Sequence, residues 1–342
     1  MRDPLLLLCS FNAVTFLSFG WDLTNYNISS NYYVSSIAVY GNRAFLALPR
    51  SSCYNNNTNP TLVEASWYNE QPVFFGRTPF FLDSQTWKNC EHLQDVISVD
   101  MEPMRPRLWV LDKGSIECPA KIVIYNLFQR VNYSLDAPED TGRKFSCIVV
   151  DNGPKLNGAR GYISFDGLPD LLVFSINEFK WWRIRLEPQD SILPVSTKFI
   201  AFSRKEDVLY VTGGEERGIF SLDLTLLRQE FADEVESVNV TFLGEKLGAS
   251  SALVADFKDG LSYYIPRDFV VVRWNTRQPP QAEYYNVLAQ SYDLLPYVSQ
   301  LYTGPQNGIW AIANPGHPTQ CPTDSPHLEK RLVKLLKYNM FT

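Results

Sequence analysis

The side chains that most often bind metals or carry catalysis are few and scattered in this chain of 342 residues. No Cys-x-x-Cys, His-Glu-x-x-His, Gly-x-Ser-x-Gly or phosphate-binding glycine loop occurs. The three histidines lack the short mutual spacing of zinc ligands; they are His92, His317 and His327. The sequence therefore identifies no catalytic residue by motif, and it predicts neither a metal nor another cofactor.

Charge and composition narrow the class of partner. The chain carries 37 acidic and 31 basic side chains, which gives a net charge of −6. This balance argues against a protein that binds the phosphate backbone of nucleic acids or an anionic membrane surface. Hydrophobic residues make up 45% and aromatic residues 14%, enough for a large core. We expect neither nucleic acid nor a membrane as a partner.

The N-terminus has the composition of a secretory signal. One Arg precedes an apolar run from Leu5 to Leu17, and Ser18 and Gly20 offer small residues for cleavage before Trp21. We predict a signal peptide over residues 1–20 and a secreted, extracellular protein; a buried N-terminal strand is the alternative. Four glycosylation sequons fit this compartment; they begin at Asn27, Asn56, Asn132 and Asn239.

One pattern recurs six times and must position any functional residue. An apolar run, a polar turn and a second run centred on an aromatic residue repeat along the chain. A third run, and often a fourth, follows without helical periodicity, which indicates three or four short strands per unit. Such units are typical of β-propeller blades, although a pair of β-sandwiches is the alternative. The six aromatic anchors are Phe45, Trp109, Tyr162, Tyr210, Tyr263 and Trp310.

We therefore predict an all-β fold, a six-bladed β-propeller forming a single domain over residues 21–342. A propeller must close its ring, because an open ring leaves an unpaired strand edge. The last unit shows only three strands of its own. We predict that an N-terminal strand, Trp21 to Tyr26, pairs with this C-terminal blade.

A propeller has a central channel whose mouth is a natural pocket for a small molecule. Residues at the ends of the inner strands should line it. The candidate lining residues are Asp100, Asp151, Asp256, Tyr297, Ser299 and Asn314. For each of the three aspartates, the alternative is a turn residue that closes its hairpin.

Several segments resemble the yellow and major royal jelly protein family. "RLWVLDKG" followed by "CPAKIVIYNL" is similar to the most recognisable block of that family. "GNRAFLALPR", "LLVFSINEFKWWRI" and "GIWAIANP" follow the family order, and the similarity runs from Trp21 to about Tyr338. The chain departs from the family in two places. The family usually has a Cys just before the "RLWVLD" strand, where this chain reads "MEPMRP", and it has Cys-Trp-Asn where this chain has Arg273 before Trp-Asn.

The resemblance implies a ligand site. In salivary relatives an amine site uses a Thr on the last inner strand, and an Asn and an aromatic after the next strand. Ser299 matches the Thr and Asn314 the Asn, whereas Gly316 stands where the aromatic would be. An aromatic face for an ammonium ligand could come from Tyr297, Tyr302 or Trp310, although Trp310 is also a core candidate. We expect a small aromatic or amine ligand.

The resemblance also leaves other functions open. Some yellow proteins are associated with dopachrome conversion in melanin synthesis and cuticle pigmentation, which would need a general base such as a channel Asp or His92. A storage or structural protein would need no pocket chemistry. A calcium-dependent hydrolase is the last alternative; its oxygen ligands would be Asp100, Asp151, Asp256 and Asn314.

Five cysteines remain if the signal peptide is removed, which leaves one without a partner. On a propeller, Cys90 and Cys118 would share one face of the second blade. Cys53 and Cys321 follow the second strands of the first and last blades, which are neighbours in a closed ring. We predict disulfides Cys90–Cys118 and Cys53–Cys321, with Cys147 free on an inner strand.

Overall fold

The fold is all-β. Within the residues described, the only α-helix is one four-residue turn, α1 (Leu224–Leu227). No helix in this part of the chain is long and apolar enough to cross a membrane. The computed structural model describes residues 18–21, 23, 28, 32–50, 60–67, 85–129, 131–138, 144–152, 158–189, 192–203, 205–229, 235–304, 307–319 and 330–336.

The strands form six consecutive antiparallel units, each beginning with the predicted hairpin. The first unit is β2 (Ser36–Tyr40), β3 (Arg43–Ala47) and β4 (Leu62–Ser66). The second is β5 (Val96–Met101), β6 (Arg107–Asp112), β7 (Lys121–Asn126) and β8 (Asn132–Asp136). The third is β9 (Phe145–Asp151), β10 (Arg160–Phe165), β11 (Asp170–Ser175) and β12 (Lys180–Pro188).

The fourth unit is β13 (Phe199–Phe202), β14 (Val208–Thr212), β15 (Gly218–Asp223) and β16 (Val235–Glu245). The fifth is β17 (Ser251–Ala255), β18 (Gly260–Ile265), β19 (Val270–Asn275) and β20 (Tyr285–Gln290). The sixth is β21 (Tyr297–Thr303), β22 (Ile309–Asn314) and β23 (Arg331–Leu336), completed by β1 (Ser18–Phe19) from the N-terminal end. Single-turn 3-10 helices lie at Pro266–Asp268 and Ala282–Tyr284.

Apolar side chains fill the spaces between neighbouring units. Each hydrophobic cluster combines residues from two successive units, and one joins the sixth unit to the first. All six predicted aromatic anchors are buried in these clusters. Successive residues of a strand point to opposite faces of its unit. One face packs against the preceding unit and the other against the following unit, so every unit depends on its neighbours for its core. The architecture is propeller-like.

A strand from the N-terminal end pairs with the C-terminal unit. Ser18 lies opposite Val333 and Phe19 opposite Leu332, so the pairing strand among the described residues is β1. Of the predicted strand Trp21 to Tyr26, only Trp21 and Leu23 are described, and neither lies in a strand. The Phe19 ring packs edge-on against three tryptophans, with centroid distances of 5.7 to 6.0 Å; they are Trp21, Trp67 and Trp310. Phe19 thereby packs against the hydrophobic cluster between the sixth and first units. β1 also lies inside the segment predicted as a signal peptide.

The third and fourth units share one eight-stranded sheet, which the repeat did not predict. Their outer strands β12 and β16 pair in parallel, from Arg183 opposite Val235 to Pro188 opposite Val240. The buried Arg160 reinforces this junction, because its guanidinium donates to the carbonyls of Leu227 and Gln229 at 2.7 and 2.8 Å. The pairing covers two strand edges that would otherwise remain open.

Candidate functional site

A channel of about 800 Å³ runs between the first strands of the six units, called the inner strands. They are β2, β5, β9, β13, β17 and β21. At one end of the channel, called the first mouth, each inner strand begins, and the loop that follows the second strand of the same unit lies beside it. The pairing of Tyr297 with Asn314 shows this arrangement in the sixth unit. The side chains at the first mouth are Tyr33, Asp166, Lys198, Tyr297, His317 and Thr319.

Three rings form an aromatic wall at the first mouth. Tyr297 lies 6.4 Å from Tyr33, and His317 stands edge-on to Tyr297 at 5.0 Å, both measured between ring centroids. Tyr264 supports Tyr297 from behind at 6.4 Å, and its hydroxyl donates to the carbonyl of Leu295 at 2.6 Å. The wall therefore stands on packed strands, and it can contact the face or edge of a small aromatic ligand.

Charged groups at the first mouth are paired. The Lys198 ammonium lies 3.0 Å from a carboxylate oxygen of Asp166. Burial and the nearby Lys198 charge lower the pKa of His317 below its usual value. Burial raises the pKa of Tyr297. Near neutral pH the mouth thus presents a neutral imidazole, a neutral phenol and one ion pair.

Ser299 and Asn314 lie together, with Asn314 Nδ2 donating to Ser299 Oγ at 3.0 Å, and both bind the chain that enters the first unit. Ser299 Oγ donates to the Val34 carbonyl at 2.7 Å. The Asn314 side chain is fully buried, accepts from the Val34 N–H at 2.9 Å and donates to the Val34 carbonyl at 2.9 Å. Ser299 lines the channel, whereas Asn314 is not among its lining residues.

The role of Ser299 is repeated in the preceding unit. Ser251 Oγ donates to the Val298 carbonyl at 2.7 Å, just as Ser299 does to Val34. Ser98 uses its hydroxyl to accept the Ile148 N–H. Hydroxyls on inner strands thus join one unit to the next, which explains the hydroxyl at position 299 without a ligand.

The two predicted tyrosines occupy different surroundings. Both Tyr297 and Tyr302 line the channel. Tyr302 also packs edge-on against Trp67 at 6.2 Å, within the cluster between the sixth and first units. Tyr297 is therefore the better placed of the two to contact a ligand at the first mouth.

The acidic candidates do not converge. Asp100 lines the channel and accepts the Val150 N–H at 2.7 Å. Asp151 forms an ion pair with Arg228, and Asp256 forms one with Arg273 while closing its hairpin turn. In the described ranges no cluster of three His, Cys, Asp or Glu side chains could hold a metal ion. The calcium alternative therefore finds no ligand set there.

The disulfide Cys90–Cys118 is present, as predicted. Cys147 is a free thiol on β9 that lines the channel; its Sγ lies 3.0 Å from Ser164 Oγ, and burial raises its pKa. Cys53 and Cys321 lie outside the described residues. Of the sequon asparagines, Asn132 and Asn239 are exposed, whereas Asn27 and Asn56 also fall outside the described residues.

The "RLWVLDKG…CPAK" block builds a buried polar support for this disulfide. The Asp112 carboxylate accepts N–H bonds from Gln94, Asp95 and Gly114. Lys121 Nζ donates to the carbonyls of Cys90 and His92. The block is therefore structural, and His92 is absent from the residues that line the channel.

Sequence reasoning missed several residues at the first mouth: Tyr33, Asp166, Lys198 and Thr319, along with a role for His317. A usable signal existed, because each lies just before an inner strand or just after a second strand. The prediction named only three aspartates and three residues of the sixth unit. Applied to every polar or aromatic residue at these positions, the rule would have included Tyr33, Asp166 and Lys198.

Solved structures share the fold at low sequence identity. The WD40 repeats of RRP9, a β-propeller class, superpose with a TM-score of 0.51 at 12% identity, covering 89% of this chain and 80% of that one. The luciferin-regenerating enzyme gives 0.51 at 12%, covering 89% and 92%. Virginiamycin B lyase from Staphylococcus aureus gives 0.52 at 11%, covering 87% and 82%.

Sequence comparisons show the family. Dopaminechrome tautomerase of Drosophila melanogaster is 25% identical over 185 residues, which span 46% of this chain and only 36% of that relative. The model of the major royal jelly protein family matches residues 97–320, well over half of the chain. The chain belongs to the major royal jelly protein family.

Proposed function

We propose that the protein is a secreted, six-bladed β-propeller that binds a small aromatic or amine molecule in its central channel. The six antiparallel units support this blade count, as does the cluster that joins the sixth unit to the first. The disulfide Cys90–Cys118 and the exposed sequon residues Asn132 and Asn239 support secretion.

The aromatic wall at the first mouth is the observation that carries the ligand proposal. A channel of about 800 Å³ falls in the range of small-molecule sites. Tyr33, Tyr297 and His317 offer ring faces and edges at one end of it. Because Ser299 and Asn314 hold Val34, we assign the main ligand contacts to this wall rather than to their polar groups.

Calorimetric titration with dopamine, serotonin, octopamine and histamine tests the proposal. We expect micromolar or tighter binding of at least one, and a loss of about tenfold or more in Tyr297→Leu, because one wall of the pocket is removed. Tyr284→Leu is the matched control, since Tyr284 is exposed and lies outside the channel. No binding of any aromatic compound would refute the proposal.

Tautomerisation of an aminochrome is the second candidate, favoured by the similarity to Dopaminechrome tautomerase. Such a step moves a proton from a ring carbon to a quinone oxygen, so it needs a base and a donor but no oxidant. Asp100 and Asp166 are carboxylates that line the channel. Spectrophotometric turnover of dopaminechrome, with Asp100→Asn and Asp166→Asn as variants, tests this candidate. A rate equal to the buffer rate would exclude it.

A further inference from the structure

The hydrogen bonds of His317 define which of its nitrogens carries the proton. The backbone N–H of Thr319 donates to His317 Nδ1 at 3.2 Å, and Thr319 Oγ lies 2.7 Å from the same nitrogen. A backbone N–H can only donate, so Nδ1 is unprotonated. The neutral ring therefore carries its proton on Nε2.

This Nε2–H has no protein acceptor within the described part of the chain. The ring is half-buried and edge-on to Tyr297. The charged groups near it are Lys198 and Asp166, which pair with each other. A half-buried N–H donor without a protein acceptor can be satisfied by a ligand oxygen at little desolvation cost.

We propose that the first mouth selects aromatic or quinonoid ligands that present a ring carbonyl oxygen, which accepts a hydrogen bond from His317 Nε2. Thr319 acts as a positioning residue that holds the donor tautomer. The proposal rests on the proposed channel function and deepens it by naming the ligand class. This ligand class differs from the amines that the sequence led us to expect. An ammonium group is only a hydrogen-bond donor, so it cannot accept the hydrogen bond from Nε2–H.

Nitrogen-15 NMR of the intact protein tests the tautomer without any ligand. We expect an unprotonated Nδ1 and a protonated Nε2 for His317 near neutral pH, with the signals assigned by their loss in His317→Gln. His92 is an internal reference, because its Nδ1 also accepts a backbone N–H, from Thr86. A protonated Nδ1 at His317 would overturn the proposal.

Binding of a matched probe pair tests the ligand class. Isatin carries two ring carbonyls on an indole-sized frame, whereas indole carries none. We expect isatin to bind more tightly than indole. His317→Leu removes a ring of the wall for both probes, but it should weaken isatin by about threefold to tenfold more than indole, the range for one neutral hydrogen bond. His317→Gln, which keeps a donor, should retain part of the preference, and His92→Leu should change neither affinity.

The outcomes separate the two proposals. If both probes bind with equal affinity, or if His317→Leu weakens both equally, the ligand class is wrong and channel binding stands. If neither probe nor any amine binds, the channel function itself is wrong, and the ligand class fails with it.

Discussion

Asn314 binds both backbone polar groups of Val34, although the two residues are 280 positions apart in sequence. The Asn314 amide nitrogen and oxygen take the places of the N–H and C=O groups of a neighbouring strand, and the side chain is fully buried. The two residues belong to the last unit and to the segment that enters the first. This pair therefore closes the ring at the first mouth, next to the proposed ligand wall.

Asn314→Ala should destabilise the protein because it leaves the buried Val34 N–H without its acceptor and removes one of the two donors to the Val34 carbonyl, which keeps Ser299 Oγ. A buried group without its partner costs about 1–3 kcal/mol, so we expect a loss of about 2–4 kcal/mol in equilibrium urea unfolding. Ser251→Ala, which removes one comparable bond, is the matched control with a loss of about 1 kcal/mol. An unchanged unfolding midpoint in Asn314→Ala would show that the pair does not close the ring.

The N-terminal strand should be part of the mature protein. Cleavage before Trp21 would remove Phe19 from its cluster of tryptophans, whereas cleavage after Thr15, with Ala13 as the other small residue, would keep it. We expect N-terminal sequencing of the secreted protein to find a start upstream of Ser18. Phe19→Ala should lower the free energy of unfolding by about 2 kcal/mol. A stable mature chain starting at Trp21 would contradict this prediction.

The contribution of Asp95 to stability should fall as the pH rises from about 4 to about 6. Burial raises the pKa of Asp95 from 3.8 to about 6, so the folded protein binds this proton more tightly than the unfolded chain does. The stabilisation is complete below the unfolded pKa and is lost as the pH passes the folded one, a difference of about 3 kcal/mol.

Asp95→Asn should flatten this dependence and make the protein more stable at pH 7. The amide keeps an oxygen that accepts the Arg50 N–H, a bond of 2.8 Å in the native protein. Asp112, whose pKa burial also raises, would leave a residual slope. Urea unfolding across this pH range measures the effect, and an identical slope in the variant would rule out Asp95 as its source.

Peptide mapping under non-reducing conditions should find Cys90 linked to Cys118, Cys53 linked to Cys321, and Cys147 free. Because burial raises the pKa of the Cys147 thiol, we expect its alkylation to be much slower in the folded protein than after unfolding. Reduction of Cys90–Cys118, which closes 28 residues, should cost about 3–4 kcal/mol. A bridge that includes Cys147 would overturn this pairing scheme.

The sequence by itself determined the strands, the units and the first disulfide. Alternating apolar residues around polar turns specify short antiparallel strands because each face must be buried or solvated. The anchors from Phe45 to Trp310 marked the strand that would be buried in every unit. Cys90 and Cys118 lie within a single unit, so local topology was enough to predict their bond.

Only the tertiary structure decided what depends on contacts between distant units. The roles of Ser299 and Asn314 were decided by Val34, which no local pattern connects to them. The parallel pairing of β12 with β16 and the choice of Ser18–Phe19 for closure depend on which edges and aromatic faces meet. A sequence pattern predicts whether a strand is buried, whereas the packing of whole units determines which group a buried polar side chain contacts.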